Sequence, residues 1–154
     1  MQQKSKYVVE ERILIDADVH TVWRHMTDWD AYHQWNPFIV GVDYQVDGQG
    51  QVTTMKFQLR WPDGKTGTSV EQMVRSSPPQ NGTAELVYKY ATLPARLGLL
   101  RATRIQQLRQ QGSQTAYYTR EDFSGMLARF VPITAVQQGF AAQAQALAAV
   151  SAQT

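Results

Sequence analysis

The sequence contains no cysteine. That absence excludes disulfides, thiol catalysis and cysteine-bound metal centres. There is no apolar run of the ~20 residues that a membrane span requires, so stable membrane insertion is not expected. Residues Met1–Glu11 carry two lysines, two glutamates and no apolar stretch of signal-peptide length, which makes the cytoplasm the expected location. Charge of one sign is also scarce. Lys and Arg number 15 against 13 Asp and Glu, with no basic run, so a nucleic-acid partner is not expected. The three histidines, His20, His25 and His33, are not spaced to share one helix face, and no metal is expected. The glycines form neither a phosphate loop nor a dinucleotide fingerprint, so no cofactor is expected. Ser124 stands in Phe-Ser-Gly rather than in a hydrolase elbow, and reads as a helix cap or turn residue. Asn81-Gly82-Thr83 matches a glycosylation sequon that would be idle in that compartment.

What remains is a globular composition, 43% hydrophobic and 18% charged, on a chain of 154 residues, which fits one domain over 1–154. Tyr7–Ile15 is rich in Val and Ile and predicts a first strand. Asp18 is placed to cap a short helix carrying Val19, Val22, Trp23 and Met26 at helical spacing. A second short helix through Trp29 and Tyr32 should stop at Asn36-Pro37. From Phe38 the period becomes that of strands. Phe57, Leu59 and Trp61 share one face opposite Lys56, Gln58 and Arg60. Trp61-Pro62-Asp63-Gly64-Lys65 predicts a tight hairpin, and Lys65–Arg75 the return strand. Ser76–Gly82 reads as a loop, and Tyr88 and Tyr90 as one face of the next strand. Ala91–Leu100, with Pro94 and Gly98, reads as an apolar loop. Arg101–Arg109 and Thr115–Phe123 follow as two strands joined near Gly112-Ser113. After Gly125 the spacing of Phe130, Ile133, Val136, Phe140, Ala144 and Leu147 predicts one long helix.

Strand, two short helices, a run of strands and a terminal helix make an α+β fold with a curved seven-stranded antiparallel sheet around the C-terminal helix. One helix cannot cover a twisted sheet of that width, so interior space is expected between them.

The segment Val22-Trp23, Thr27-Asp28-Trp29, Tyr32 and Trp35-Asn36-Pro37-Phe38-Ile39 resembles the helical gate of the SRPBCC superfamily, which includes START-like domains, the birch-pollen-allergen fold and polyketide cyclase/dehydrase-like proteins. Arg104 with Glu121-Asp122-Phe123-Ser124-Gly125-Met126-Leu127 resembles the strand-to-helix junction of small bacterial members, and Gln138-Gly139-Phe140 the middle of their last helix. The resemblance implies a helix-grip fold with a deep hydrophobic pocket. His33 departs from it, standing where many relatives have proline, so the second short helix should run further.

If the hairpin turns at Gly112-Ser113, Arg104 faces Glu121 on the inward side together with Leu108, Tyr117 and Phe123. This pair has two readings: a polar anchor for a ligand carboxylate, carbonyl or hydroxyl, or a closed ion pair that fixes strand register. Phe57, Leu59, Trp61, Tyr88, Tyr90, Arg104, Leu108, Tyr117, Glu121, Phe123, Phe130 and Phe140 are the candidate ligand-binding residues. Trp29, Tyr32, Trp35 and Phe38 are the candidate gate. Buried tyrosines need partners for their hydroxyls, which points to a partly polar or ligand-filled interior. The expected function is binding of a hydrophobic small molecule such as a lipid, polyketide or isoprenoid. Two alternatives stay open: a cyclase or dehydratase in which Arg104, Glu121 and a tyrosine handle protons, and a protein-interaction domain using a sheet edge or the 91–100 loop to hold a protein partner.

Overall fold

In the computed structural model, which describes residues 7–154, the chain forms the helix-grip arrangement. Strand β1 (Val8–Ile15) leads into helix α1 (Val19–Thr27). The Asp18 carboxylate accepts from the His20 and Thr21 amides at 2.9 and 3.0 Å, closing two open donors at the helix start. Val19, Val22 and Met26 form the buried stripe of α1. A 3-10 turn at Trp29–Ala31 continues into α2 (Tyr32–Trp35). With histidine at position 33 the backbone keeps its amide, and the Asn36 amide bonds to the Tyr32 carbonyl at 2.8 Å before Pro37 ends the element.

Strands β2 (Ile39–Val46), β3 (Val52–Arg60), β4 (Thr66–Gln80), β5 (Thr83–Tyr90), β6 (Arg101–Gln111) and β7 (Gln114–Ser124) complete one antiparallel sheet in the order β1-β7-β6-β5-β4-β3-β2. Register shifts in β2–β3 and β4–β5 add bend and twist to the sheet. Helix α3 (Leu93–Arg96) forms one turn within the 91–100 segment expected as a loop, with Pro94 in its first turn, where its missing amide costs nothing. Helix α4 (Ile133–Ala152) packs on β1 and α1.

Three expectations change. The loop expected at 76–82 is largely strand, because β4 continues to Gln80. Beyond Gln72 its β3 side is unpaired and its pairing to β5 is shifted, so Pro78 and Pro79 remove no ladder bond that the sheet needs. The C-terminal helix starts at Ile133 instead of running on from Gly125. Val131 precedes Pro132 and takes an extended conformation, which separates the 3-10 turn Ala128–Phe130 from α4. Phe130 is therefore 67% exposed and lines no interior face. Ser124, expected to cap a helix or stand in a turn, ends β7 where the chain turns at Gly125.

Two glycines are required by close approach. Gly125 has φ +99°, and a Cβ there would lie 2.6 Å from the Leu99 carbonyl oxygen. A Cβ at Gly139 would lie 2.6 Å from the Phe38 ring, so glycine lets that ring rest on α4. No helix among the described residues is long and apolar enough to cross a membrane.

Candidate functional site

A band of polar side chains crosses the inner, otherwise apolar face of the sheet. Glu71 on β4 lies opposite Tyr90 on β5. Tyr88 on β5 lies opposite Arg104 on β6, and Arg104 opposite Glu121 on β7. These residues share a cavity of about 270 Å³ with Phe57, Leu59, Trp61, Ala102, Phe123 and, from the helix, Phe140. Phe38 joins the lining and meets Trp61 and Phe140 edge to face, with ring centroids 5.5 and 6.1 Å apart.

Arg104 is 3% exposed. The expected register with Glu121 is present, but among the described residues Arg104 makes no ion pair within 4.0 Å. The closed-pair reading therefore gives way. Neutral oxygens hold the guanidinium instead. Its Nε donates to Thr119 Oγ1 at 3.0 Å, Nη1 to the Tyr88 hydroxyl at 3.1 Å, and Nη2 to Gln143 Oε1 of α4 at 3.1 Å. The Phe140 ring covers its face at 3.9 Å from centroid to Cζ. A short relay supports Tyr88. Tyr117 donates to Gln106 Oε1 at 2.7 Å, and Gln106 Nε2 donates to the Tyr88 oxygen at 3.3 Å.

The two carboxyls take the opposite course to surface acids. Burial pushes Glu71 up to about 8, helped by the nearby charge of Glu121 and opposed by the Ser69 hydroxyl, which donates to it at 2.5 Å, and by Arg104. Burial pushes Glu121 up to about 7 against the pull of Arg104. The cavity thus sets a permanent cation beside two carboxyls that hold their protons to higher pH than surface acids do. Burial also raises Tyr88 and Tyr117, so both remain hydroxyl donors.

Of the candidate residues, the cavity brings together Phe57, Leu59, Trp61, Tyr88, Tyr90, Arg104, Glu121, Phe123 and Phe140. Leu108 and Tyr117 are buried in the core beside the cavity without lining it, and Phe130 lies outside. Of the gate residues only Phe38 reaches the cavity. Trp29, Tyr32 and Trp35 pack on one another, Tyr32 donating to the Met26 carbonyl, and Trp29 stacks on Phe57. No group of three or more His, Asp and Glu among the described residues is placed to hold a metal ion. Sequence reasoning missed Glu71, Thr119 and Gln143. The register of the 61–65 hairpin would have found Glu71, because it sets Ser69 opposite Phe57 and Glu71 opposite Met55, both inward.

A family model described as polyketide cyclase / dehydrase and lipid transport matches residues 6–152. Among curated proteins none matches the chain. Similar solved structures include a START superfamily protein from Mycobacterium smegmatis, 18% identical with TM-score 0.71 over 95% of this chain and 97% of that one. An aromatase/cyclase from a Streptomyces species is 15% identical with TM-score 0.73, covering 94% and 92% of the two chains. The major latex-like protein 151 of Panax ginseng is 11% identical with TM-score 0.74, covering 94% and 96%. At these identities the likeness concerns the fold.

Proposed function

We propose, from the premise that the chain belongs to the polyketide cyclase / dehydrase and lipid transport family, that it works as one binding domain for an apolar small molecule of lipid, polyketide or isoprenoid type. The carrying observation is the aromatic-lined cavity of about 270 Å³ between sheet and α4, with a polar band in its lining. Apolar walls with a few convergent polar groups are what a small-molecule pocket needs: the walls supply affinity, the polar groups orientation. Saturable binding of a neutral fluorescent lipid probe tests the reading. Ala102, buried and part of the lining, offers the control. Ala102→Phe fills the cavity and should abolish binding while the circular dichroism spectrum stays native. Probe binding that survives the filled cavity would sink this reading.

A second reading, a cyclase- or dehydratase-type enzyme in the same cavity, is favoured by the two raised carboxyls. A carboxyl poised near neutral pH can both give and take a proton. Loss of turnover in Glu121→Gln, on a substrate that still binds, would support it. The protein-contact reading rests on Leu93, Leu97, Met126 and Phe130, each at least 64% exposed. Their two segments meet where the Leu127 amide bonds to the Leu99 carbonyl at 3.0 Å. A co-purifying protein that is lost in Leu93→Ser/Leu97→Ser would support it.

A further inference from the structure

Resting on the binding reading above, we propose that the head group received in the cavity is an anion, a carboxylate or an equivalent oxyanion, seated on unspent donors of Arg104 and Tyr88 and excluded when Glu121 is ionised.

The donor count carries this. A guanidinium has five N–H groups. Three have acceptors in Thr119, Tyr88 and Gln143, and the Tyr117 hydroxyl interacts with the same guanidinium and accounts for at most one more. At least one therefore has none among the described residues. The Tyr88 oxygen already accepts from Arg104 and Gln106, so its own O–H must donate, and no described residue accepts it. Both residues line the cavity. A buried cation with no acid in contact, next to a hydroxyl proton with no acceptor, is a costly arrangement that a bound oxyanion would satisfy.

Glu121 is the competitor. It lies opposite Arg104, lines the same cavity, and receives no hydrogen bond from any described residue. Its charged neighbours are few. On β6 stands Arg104, and on β7 Asp122 and Tyr117. Val9 of β1 lies opposite Glu121, flanked two residues away by Tyr7 and Glu11, the latter held by Gln137 of α4 at 2.9 Å. Tyr88, Tyr90 and Glu71 complete the set from β5 and β4, and α4 contributes no titratable residue. Ionised, Glu121 neutralises Arg104 and repels a second anion. Protonated, it leaves Arg104 to the ligand. Its value near 7 places the exchange in the neutral range.

Matched probes of equal chain length, dodecanoate and dodecanol, test the idea by calorimetric titration at about pH 6 and about pH 8.5. One linked proton changes affinity ~10-fold per pH unit above the carboxyl's own value, so dodecanoate should bind at least ~10-fold tighter at the lower pH, with dodecanol indifferent. Binding of dodecanoate at the higher pH, where the free protein holds Glu121 ionised, should take up close to one proton, and at the lower pH almost none, read from the enthalpy in two buffers of different ionisation heat. Glu121→Gln should abolish the pH dependence. Arg104→Met should remove the preference for dodecanoate over dodecanol, and Tyr88→Phe, which keeps the shape, should reduce it. Equal, pH-independent binding of both probes overturns the head-group inference and leaves the binding reading standing. Tighter dodecanoate binding at the higher pH overturns it as well. Binding of neither probe overturns the binding reading and the inference together.

Discussion

Two arginines on neighbouring strands meet opposite fates. Arg120 on β7 lies across from Ile105 on β6, on the outer face of the sheet. It donates from Nε and Nη2 to both Asp122 oxygens at 2.9 and 2.8 Å and reaches Glu10 at 3.3 Å. Water still touches it, its side chain being 28% exposed. Arg104, one residue before Ile105, points inward, where three neutral oxygens and a ring hold it without an acid. The carboxyls divide in the same way. On the outside, Glu85 is held below the ordinary range by the Gln107 amide and by Arg75. On the inside, Glu71 and Glu121 rise. The outer face neutralises its charges pairwise. The inner face keeps a cation and two protonatable acids apart in low dielectric, an arrangement that costs stability and leaves binding capacity unspent.

The pH dependence of stability should separate the two faces most strongly. The inner carboxyls bind their protons more tightly folded than unfolded, so their contribution is complete below the unfolded value of 4.5 and is lost as pH rises through about 7 and about 8. Denaturant unfolding should therefore show stability falling by several kcal/mol between about pH 5 and about pH 8.5, about 7 kcal/mol where both shifts are fully expressed. Glu71→Gln/Glu121→Gln should flatten that slope. Glu85→Gln should leave it intact, because a lowered carboxyl adds stability above its unfolded value and loses it towards acid. A wild-type protein more stable at the alkaline end would contradict the assignment of raised carboxyls to the inner face.

The next largest contrast concerns the inner arginine itself. Arg104→Met alone would leave Gln143 Oε1 without its donor, so the informative variant is Arg104→Met/Gln143→Leu. If Arg104 is retained for binding, that variant should gain roughly 1–3 kcal/mol, as replacement of buried charge by apolar volume often does. The denaturation midpoint should rise at unchanged slope while the preference for an anionic probe disappears. A loss of stability would instead make Arg104 a structural strut.

How much of this contrast is legible in the sequence depends on register. The Gly112-Ser113 hairpin sets Arg104 opposite Glu121, and the spacing of Phe57, Leu59 and Trp61 identifies the inner face of β3. Glu71 is hidden because Val70 and Val74 read as the apolar side of β4, although Val74 is 53% exposed and Glu71 only 7%. The true face follows from pairing with β3, a non-local property that side-chain hydrophobicity in one strand does not carry. Gln143 lies in an Ala-rich helix whose pattern reserves its face for Phe140, Ala144 and Leu147. Register can place Arg104 opposite Glu121, but whether the side chains touch depends on which other acceptors lie closer. Thr119, Tyr88 and Gln143 come from three different elements. Spacing alone places Phe130 in the helix pattern, and Pro132 breaks that pattern before it starts.

The smallest expected effect lies outside. Arg120→Met removes a bidentate pair with Asp122 and a longer one with Glu10, but all three groups remain partly solvated. Such pairs contribute less than ~1 kcal/mol, and salt screens them at a distance of ~3 Å in 1 M. The variant should therefore unfold within ~1 kcal/mol of wild type at low salt, and the difference should vanish at high salt. Arg104, shielded from ions by Phe140 and the sheet, should respond to its own substitution equally at both salt concentrations. If Arg120→Met proves as costly as a buried charge and insensitive to salt, the outer cluster is a closed network in its own right. The contrast between the two arginines would then reduce to which face carries acids.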